Sequence, residues 1–268
     1  MSGATATDRL RCDWTVVGLA LAAGLSAGVV WLSRGAPPAR VDIGLPAAVQ
    51  WAVPAGVAAA FVLWFSRAHL DANRADAESN GPSRRYATLG LANAVTLARG
   101  GLFAAVAGFL AVEPTSQVAW LPAVCYGAGC VLDLADGAIA RRRDRTTVLG
   151  AKLDMAVDTL GFLVAPVVAV AWGRLPVWYL SLSAARYLFK PGRGYRRRRG
   201  RPVYDLPASL VRRPLAGVQM AFITVALAPA LPAAVVRSLA ALVLAPSLAV
   251  FARDYLVVAG HLGAGSAD

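Results

Sequence analysis

Long apolar stretches separated by short polar segments make up most of this chain. Eight of them approach the roughly 20 residues that an α-helix needs to cross a bilayer. They cover approximately residues 14–33, 46–66, 90–112, 117–140, 149–172, 175–189, 212–231 and 234–258. The pattern predicts an all-α polytopic membrane protein with about eight spans. The first stretch is too long for the apolar part of a cleaved signal peptide, so we expect it to remain as a helix.

A polar segment divides the predicted helices into two groups. Residues 67–89 are rich in charged side chains and contain Asn80-Gly-Pro-Ser83, a combination that breaks regular structure. We therefore expect a two-helix transmembrane addition over residues 1–66 and a cytoplasmic linker over 67–89. A six-helix core is expected over 90–259, followed by a flexible tail over 260–268.

The basic residues are concentrated in alternate loops. Most of the arginines lie in segments 67–85, 141–145 and 190–213, whereas segment 113–117 contains neither lysine nor arginine. The positive-inside rule places the basic loops in the cytoplasm. We therefore predict an integral protein of the cytoplasmic membrane with both termini in the cytoplasm.

The composition also disfavours several function classes. The run Arg196–Arg199 has no interleaved aromatic residues and adjoins a predicted span, so it favours contact with anionic membrane lipids over nucleic-acid binding. Gly192, Gly194 and Gly200 predict that this run forms a flexible, solvated loop. The three cysteines and two histidines lack the spacing of a zinc site or a disulfide framework.

Four aspartates interrupt the fourth and fifth apolar stretches: Asp133, Asp136, Asp154 and Asp158. Each charge near the middle of a membrane helix costs about 2.5–3.5 kcal/mol on insertion scales, so their presence indicates a function. Spacings of three and four residues put each pair on one helix face, and two facing helices could then bring the carboxylates together. Carboxylate oxygens prefer hard cations, which favours Mg²⁺ or Mn²⁺.

The aspartates belong to a longer pattern, D-x-x-D-G-x-x-A-R-x8-G-x-x-x-D-x-x-x-D, which this chain meets without a departure. The pattern resembles the signature of the CDP-alcohol phosphotransferase family, integral membrane enzymes of phospholipid synthesis. Upstream, the stretch Asn93–Arg99 is similar to that family's P-N-x-L-T-x-x-R, with Ala92 in place of proline and Val95 in place of leucine. The resemblance covers residues 90–258.

The resemblance implies a role for each matching residue. Two divalent ions, Mg²⁺ or Mn²⁺, would be ligated by Asp133, Asp136, Asp154 and Asp158. Asp158 would also act as the catalytic base that accepts the proton of the attacking hydroxyl, and Arg141 would pair with the diphosphate. The other implied contacts to the nucleotide and the CDP-linked lipid are Asn93, Ala94, Val95, Thr96, Gly137, Ala140 and Thr147.

The implied reaction moves a phosphatidyl-type group from a CDP-linked lipid to a small alcohol and releases CMP. Two cations and an arginine can neutralise a diphosphate and hold it for in-line attack at phosphorus. Arg186, Arg212 and Arg213 lie at predicted helix ends and favour a phosphorylated acceptor. Glycerol phosphate, inositol phosphate and serine stay open as acceptors, as do diacyl and archaeal ether lipids as donors. The family also implies a homodimer.

Two other functions compete with group transfer. A cation transporter also carries carboxylates inside the membrane, but it gives Gly137, Ala140 and Arg141 no task. An inactive relative kept for assembly is disfavoured, because every expected acidic position is present. Release of CMP from a CDP-linked lipid would separate transfer from both alternatives.

Overall fold

The computed structural model describes residues 6–75, 85–142, 146–204 and 209–262. These residues form eight α-helices and three short 3-10 segments, and the only β-structure among them is isolated bridges. The predicted all-α polytopic architecture is confirmed. In chain order the helices are α1 (Ala6–Gly35), α2 (Ala47–Ala68), α3 (Leu91–Gly108), α4 (Leu121–Arg142), α5 (Val148–Ala171), α6 (Ser181–Arg198), α7 (Arg212–Leu227) and α8 (Ala233–Val258).

Five stretches of the described residues are long and apolar enough to cross a membrane: Asp8–Gly35, Ala47–Ala68, Leu91–Ala111, Val148–Ala171 and Ala233–Val258. The remaining three helices do not meet that criterion over their described residues. In α4 the described apolar stretch covers Leu121–Ala135, and the side chains that follow it are not described. The last turn of α6 consists of arginines, and α7 has only 16 residues.

The chain divides into two compact units, Met1–Val168 and Ala169–Asp268. The first contains α1 to α4 and most of α5, and the second contains α6, α7 and α8.

Within the second unit, buried side-chain hydrogen bonds join α7 to its neighbours. Nε2 of Gln219 donates to Oγ of Ser247 at 2.9 Å, and Oε1 of Gln219 accepts a short hydrogen bond from the hydroxyl of Tyr179. All three side chains are buried, so these hydrogen bonds satisfy polar groups that would otherwise be costly inside the bundle.

Helix α3 lies at the centre of the first unit and contacts α1, α2 and α4. Two adjacent glycines permit the close approach of the N-terminal helices. A Cβ added at Gly100 would lie 2.8 Å from Cγ1 of Val62 in α2, and one added at Gly101 would overlap Leu21 in α1. The two helices that precede the predicted core therefore pack directly against its first helix.

The ring of Phe103 in α3 fixes the register of three helices. A Cβ added at Gly161 in α5 would lie 2.7 Å from the ring, and one added at Gly129 in α4 would overlap it. Phe103 is buried, so the ring has no room to move away. This contact lies about one helical turn from Asp133 and Asp158, and it therefore sets how α3 faces them.

The prediction of a flexible loop at the arginine run is wrong. Helix α6 continues to Arg198, and the guanidinium of Arg199 lies 5.2 Å from the ring centroid of Tyr195. Arginine is a good helix former, and cations interact favourably with the C-terminal end of a helix. The helix ends just before Gly200, whose φ of +65° lies in the left-handed region that favours glycine.

Candidate active site

Three of the four predicted aspartates come together in the first unit. Asp133 belongs to α4, and Asp154 and Asp158 belong to successive turns of α5. One carboxylate oxygen from each lies within 4.8 Å of the others. The spacing of four residues puts the two α5 carboxylates on one helix face, and that face meets Asp133.

The guanidinium of Arg99 in α3 joins these three carboxylates. Its Nη1 lies 2.7 Å from Oδ1 of Asp133 and 2.9 Å from Oδ1 of Asp154, and its Nη2 lies 2.7 Å from Oδ1 of Asp158. The Arg99 side chain is 0% exposed, whereas those of the aspartates are 28%, 49% and 20% exposed. The guanidinium therefore reaches the carboxylates from the protein interior, while the carboxylates stay accessible from the other side.

The charge of this cluster fits a divalent cation. Three carboxylates at −1 and one guanidinium at +1 leave a net charge of −2. Like charges this close repel each other, so the excess negative charge favours binding of a cation. Carboxylate oxygens are the ligands that Mg²⁺ and Mn²⁺ prefer, and Asp133, Asp154 and Asp158 are the described residues that could hold one.

Part of the predicted site lies outside the described residues. The backbone of α4 continues to Arg142, but the side chains from residue 136 onward in this helix are not among those described. The roles of Asp136, Gly137, Ala140 and Arg141 therefore stay predictions, as does the second metal ion.

Two predicted nucleotide contacts, Asn93 and Thr147, lie next to each other. Nδ2 of Asn93 donates to the carbonyl of Leu89 at 2.9 Å and lies 3.4 Å from Oγ1 of Thr147. That hydroxyl oxygen accepts the backbone N–H of Gly150 at 2.9 Å and so caps the start of α5. Both side chains are buried, and together they join the first turn of α3 to the first turn of α5.

The remaining predicted contacts of this stretch lie in the first turns of α3. Thr96 is buried, and its hydroxyl donates to the carbonyl of Ala92 at 3.1 Å. Ala94 and Val95 are partly exposed. Asn93 thus lies beside Thr147, with residues 94–96 following it in the first turns of α3, and their contact with a nucleotide stays a prediction.

The polar linker contacts the beginnings of α3 and α5, where Asn93 and Thr147 lie. Nδ2 of Asn73 donates to the carbonyls of Tyr86 and Thr88 at 3.1 and 2.9 Å. The carbonyl of Arg74 accepts the N–H of Val148, the first residue of α5, at 3.1 Å. Residues of the linker therefore hold both the approach to α3 and the beginning of α5.

Substituting Gly150 with alanine is expected to destabilise this junction. The new Cβ would lie 2.8 Å from Oδ1 of Asn93 and 3.1 Å from Oγ1 of Thr147, and both partners are buried. Displacing the helix cap and its hydrogen bond should cost about 1–2 kcal/mol, measured as a lower thermal midpoint in detergent. Gly56→Ala in α2 is the matched control, since a Cβ there meets nothing within 4 Å. Equal midpoints for the two variants would contradict the role of the junction.

The three arginines predicted to bind the acceptor phosphate all lie in the second unit. Arg212 pairs with Asp254 through two contacts, Nε to Oδ2 at 2.6 Å and Nη2 to Oδ1 at 3.0 Å. Asp254 is buried, so this pair ties the start of α7 to α8 and neutralises Arg212. Arg186 is partly exposed in α6, and Arg213 is exposed at the start of α7.

Sequence reasoning assigns no role to Arg99 or Asn73, although the structure places both at the site. A lone arginine in an apolar helix is itself a signal, because a charge in a membrane span needs a partner. Arg99 closes the stretch that begins at Asn93, so the signal was present in the sequence. Asn73 lies in a linker without a comparable pattern.

Fold and site together define an integral helical membrane protein whose carboxylate cluster suits a divalent cation. The model of the CDP-alcohol phosphatidyltransferase family matches residues 89–252, more than half of the chain, and the chain belongs to this family. The resemblance seen in the sequence is thus confirmed, and the family places the protein among phosphotransferases that transfer phosphatidyl groups in membrane phospholipid synthesis. Comparisons with curated proteins and with solved structures gave no match.

Proposed function

We propose that this protein transfers a phosphatidyl-type group from a CDP-linked lipid to a small alcohol and releases CMP. The convergence of Asp133, Asp154 and Asp158 around Arg99, in a chain of this family, is the observation that carries the proposal. The donor is CDP-diacylglycerol or its archaeal ether equivalent. Arg186 and Arg213 favour a phosphorylated acceptor, because arginine binds phosphate through paired hydrogen bonds.

The reaction is an in-line displacement at phosphorus. The acceptor hydroxyl oxygen attacks the phosphorus that carries the lipid, a new O–P bond forms, and the bond from that phosphorus to the bridging oxygen breaks. The bridging oxygen leaves with CMP, and the hydroxyl proton passes to Asp158. Divalent cations, when bound, neutralise the diphosphate and make CMP a better leaving group.

The chain's own residues would bind and orient the donor. Arg99 holds the three carboxylates in one place, which lowers the reorganisation needed when a cation and a diphosphate bind. Asp136 would complete the set of metal ligands, and Arg141 would pair with the diphosphate. The nucleotide would lie against Gly137 and Ala140, beside the junction at the start of α3 and α5.

The proposal includes an orientation and an assembly. The positive-inside rule supports an active site that faces the cytoplasm, in the cytoplasmic membrane, with both termini on that side. Membership of the family supports a homodimer.

Identification of the product lipid tests this function. The purified protein in nanodiscs is incubated with CDP-diacylglycerol, Mg²⁺ and one acceptor at a time: glycerol 3-phosphate, inositol 1-phosphate or serine. Mass spectrometry is expected to find one new phospholipid and CMP with one of the acceptors. Absence of any product with all three acceptors, and with an ether-linked donor as well, would contradict the proposal and favour cation transport.

Asp158→Asn tests the assignment of the base. The amide cannot accept the hydroxyl proton, so transfer is expected to fall by about 10²- to 10⁴-fold. The Kd for CDP-diacylglycerol should rise far less than transfer falls, because Asp133, Asp136, Asp154 and the nucleotide contacts remain. Asp42→Asn, in the exposed loop after α1, is the control and should transfer at the wild-type rate. Full activity of the Asp158 variant would show that another group accepts the proton.

A further inference from the structure

Helices α1 and α2 precede the part of the chain that matches the family. Their side chains join the beginning of α1 to the end of α2. Nε1 of Trp14 in α1 donates to Oγ of Ser66 in α2 at 2.8 Å. The guanidinium of Arg67 lies 5.6 Å from the centroid of the Trp14 ring, a cation–π contact. The beginning of α1 is therefore fixed against the end of α2.

The residue before Trp14 reaches the loop that leads into α3. Oδ2 of Asp13 accepts the backbone N–H of Leu89 at 3.0 Å. Leu89 is buried and is followed by Gly90, whose φ of +83° lies in the left-handed region. A carboxylate that accepts a backbone N–H forms a stronger hydrogen bond than a neutral acceptor would. Asp13 thus holds a turn that directly precedes the first turn of α3.

Leu89 also accepts a hydrogen bond from one of the predicted nucleotide contacts. The carbonyl of Leu89 accepts Nδ2 of Asn93, which also contacts Thr147 at the start of α5. A chain of hydrogen bonds consequently runs from Asp13 through Leu89 and Asn93 to Thr147. The first hydrogen bond joins Asp13, which precedes the family match, to Leu89 at its edge. The last joins Asn93 to Thr147, which are both predicted nucleotide contacts.

We propose that α1 and α2 form a positioning element for the nucleotide end of the active site, with Asp13 as its positioning residue. Asp13 touches neither substrate nor metal ligand in this account and acts through Leu89 and Asn93. The proposal rests on the proposed function, because Asn93 and Thr147 matter for binding only if the site takes a cytidine nucleotide.

Binding of CMP in the presence of Mg²⁺, measured by calorimetry on the full-length protein in nanodiscs, tests the proposal. Asp13→Ala is expected to raise the Kd for CMP by about three- to ten-fold, the effect of losing one hydrogen bond that orders the pocket. Asp13→Asn keeps an oxygen acceptor and should stay within about two-fold of wild type. Asp42→Ala is the matched control, since Asp42 also accepts a backbone N–H, that of Gly44, but within its own loop.

A second measurement distinguishes positioning from general damage. The Kd for Mn²⁺ without nucleotide should stay within about two-fold of wild type in Asp13→Ala, because the carboxylate cluster is held by other contacts. Equal CMP affinity in Asp13→Ala and wild type, or parallel loss of CMP and Mn²⁺ binding, would overturn the proposal. If Asp13→Ala fails to fold, Asp13→Glu, which displaces the carboxylate by one methylene, should raise the Kd for CMP in the same direction. Wild-type protein that binds Mn²⁺ but no CMP would contradict the proposed function itself, and this inference with it.

Discussion

Asp154→Asn is expected to reduce CMP release by at least about 10³-fold. The substitution keeps the shape of the side chain but removes one charged oxygen from the cluster that Asp133 and Asp158 complete. Metal ions contribute several kcal/mol of charge stabilisation to phosphoryl transfer, and each 1.36 kcal/mol corresponds to about ten-fold in rate. The Kd for Mn²⁺ should rise as well, by at least about ten-fold, because a neutral amide is a weaker ligand for a hard cation.

The matched control for this variant is Asp71→Asn. Asp71 is an exposed acidic residue in the linker of the same unit, outside the cluster. It should leave both CMP release and Mn²⁺ affinity unchanged. An Asp154 variant that keeps more than about a tenth of the wild-type rate would show that the cluster is not the metal centre of the reaction.

Arg99→Met is expected to make the stability of the protein depend on metal. Without Arg99, three carboxylates lie close together with no counter-charge, and because they are 20–49% exposed, water screens only part of their repulsion. In EDTA the thermal midpoint of Arg99→Met should therefore fall well below that of wild type. Mn²⁺ supplies the missing positive charge, so the rise in midpoint on adding Mn²⁺ should be larger in the variant than in wild type.

Arg174→Met separates this effect from the general loss of an arginine. The guanidinium of Arg174 donates to the carbonyls of Ala226, Ala228 and Leu231 in the second unit. Its removal should lower the midpoint by the same amount with EDTA and with Mn²⁺. Identical Mn²⁺-induced shifts in wild type and Arg99→Met would contradict the idea that Arg99 balances the charge of the cluster.

The apolar pattern and the aspartate spacing predict much of this molecule. Helices must satisfy their own backbone in a membrane, so length and apolarity largely determine where they run. The spacing of Asp154 and Asp158 likewise determines that they share a helix face. These are local properties, and a single sequence contains them.

The parts that sequence reasoning missed depend on which helix faces which. Arg99 is six residues from Asn93 in the same helix, but only the packing of α3 against α4 and α5 brings its guanidinium to the carboxylates. That packing is fixed by shape, with Phe103 seated between two glycines of other helices. The hydropathy pattern of a sequence does not show which helices pack against each other. The same reason explains why Asp13, which directly precedes the first predicted span and belongs to no motif, could not be connected to Leu89.

The extension of α6 through the arginine run shows a second limit of prediction from the sequence. Glycines near an arginine run suggest a loop, yet only Gly200 ends the helix, while Gly192 and Gly194 remain within it. Arginine is a good helix former, and cations interact favourably with the C-terminal end of a helix, which favours continuation of α6 through both glycines and Pro191.

The most direct test of the account is the release of CMP from CDP-diacylglycerol by the purified protein, measured with and without a divalent cation. Each acceptor is supplied in turn, and Asp154→Asn is assayed beside the wild type. We expect wild-type protein to release CMP only when both Mg²⁺ or Mn²⁺ and an acceptor are present, and the variant to release almost none. Release that persists in EDTA, or that is equal in the variant, would contradict the central claim that the carboxylate cluster on α4 and α5 performs metal-dependent phosphatidyl transfer.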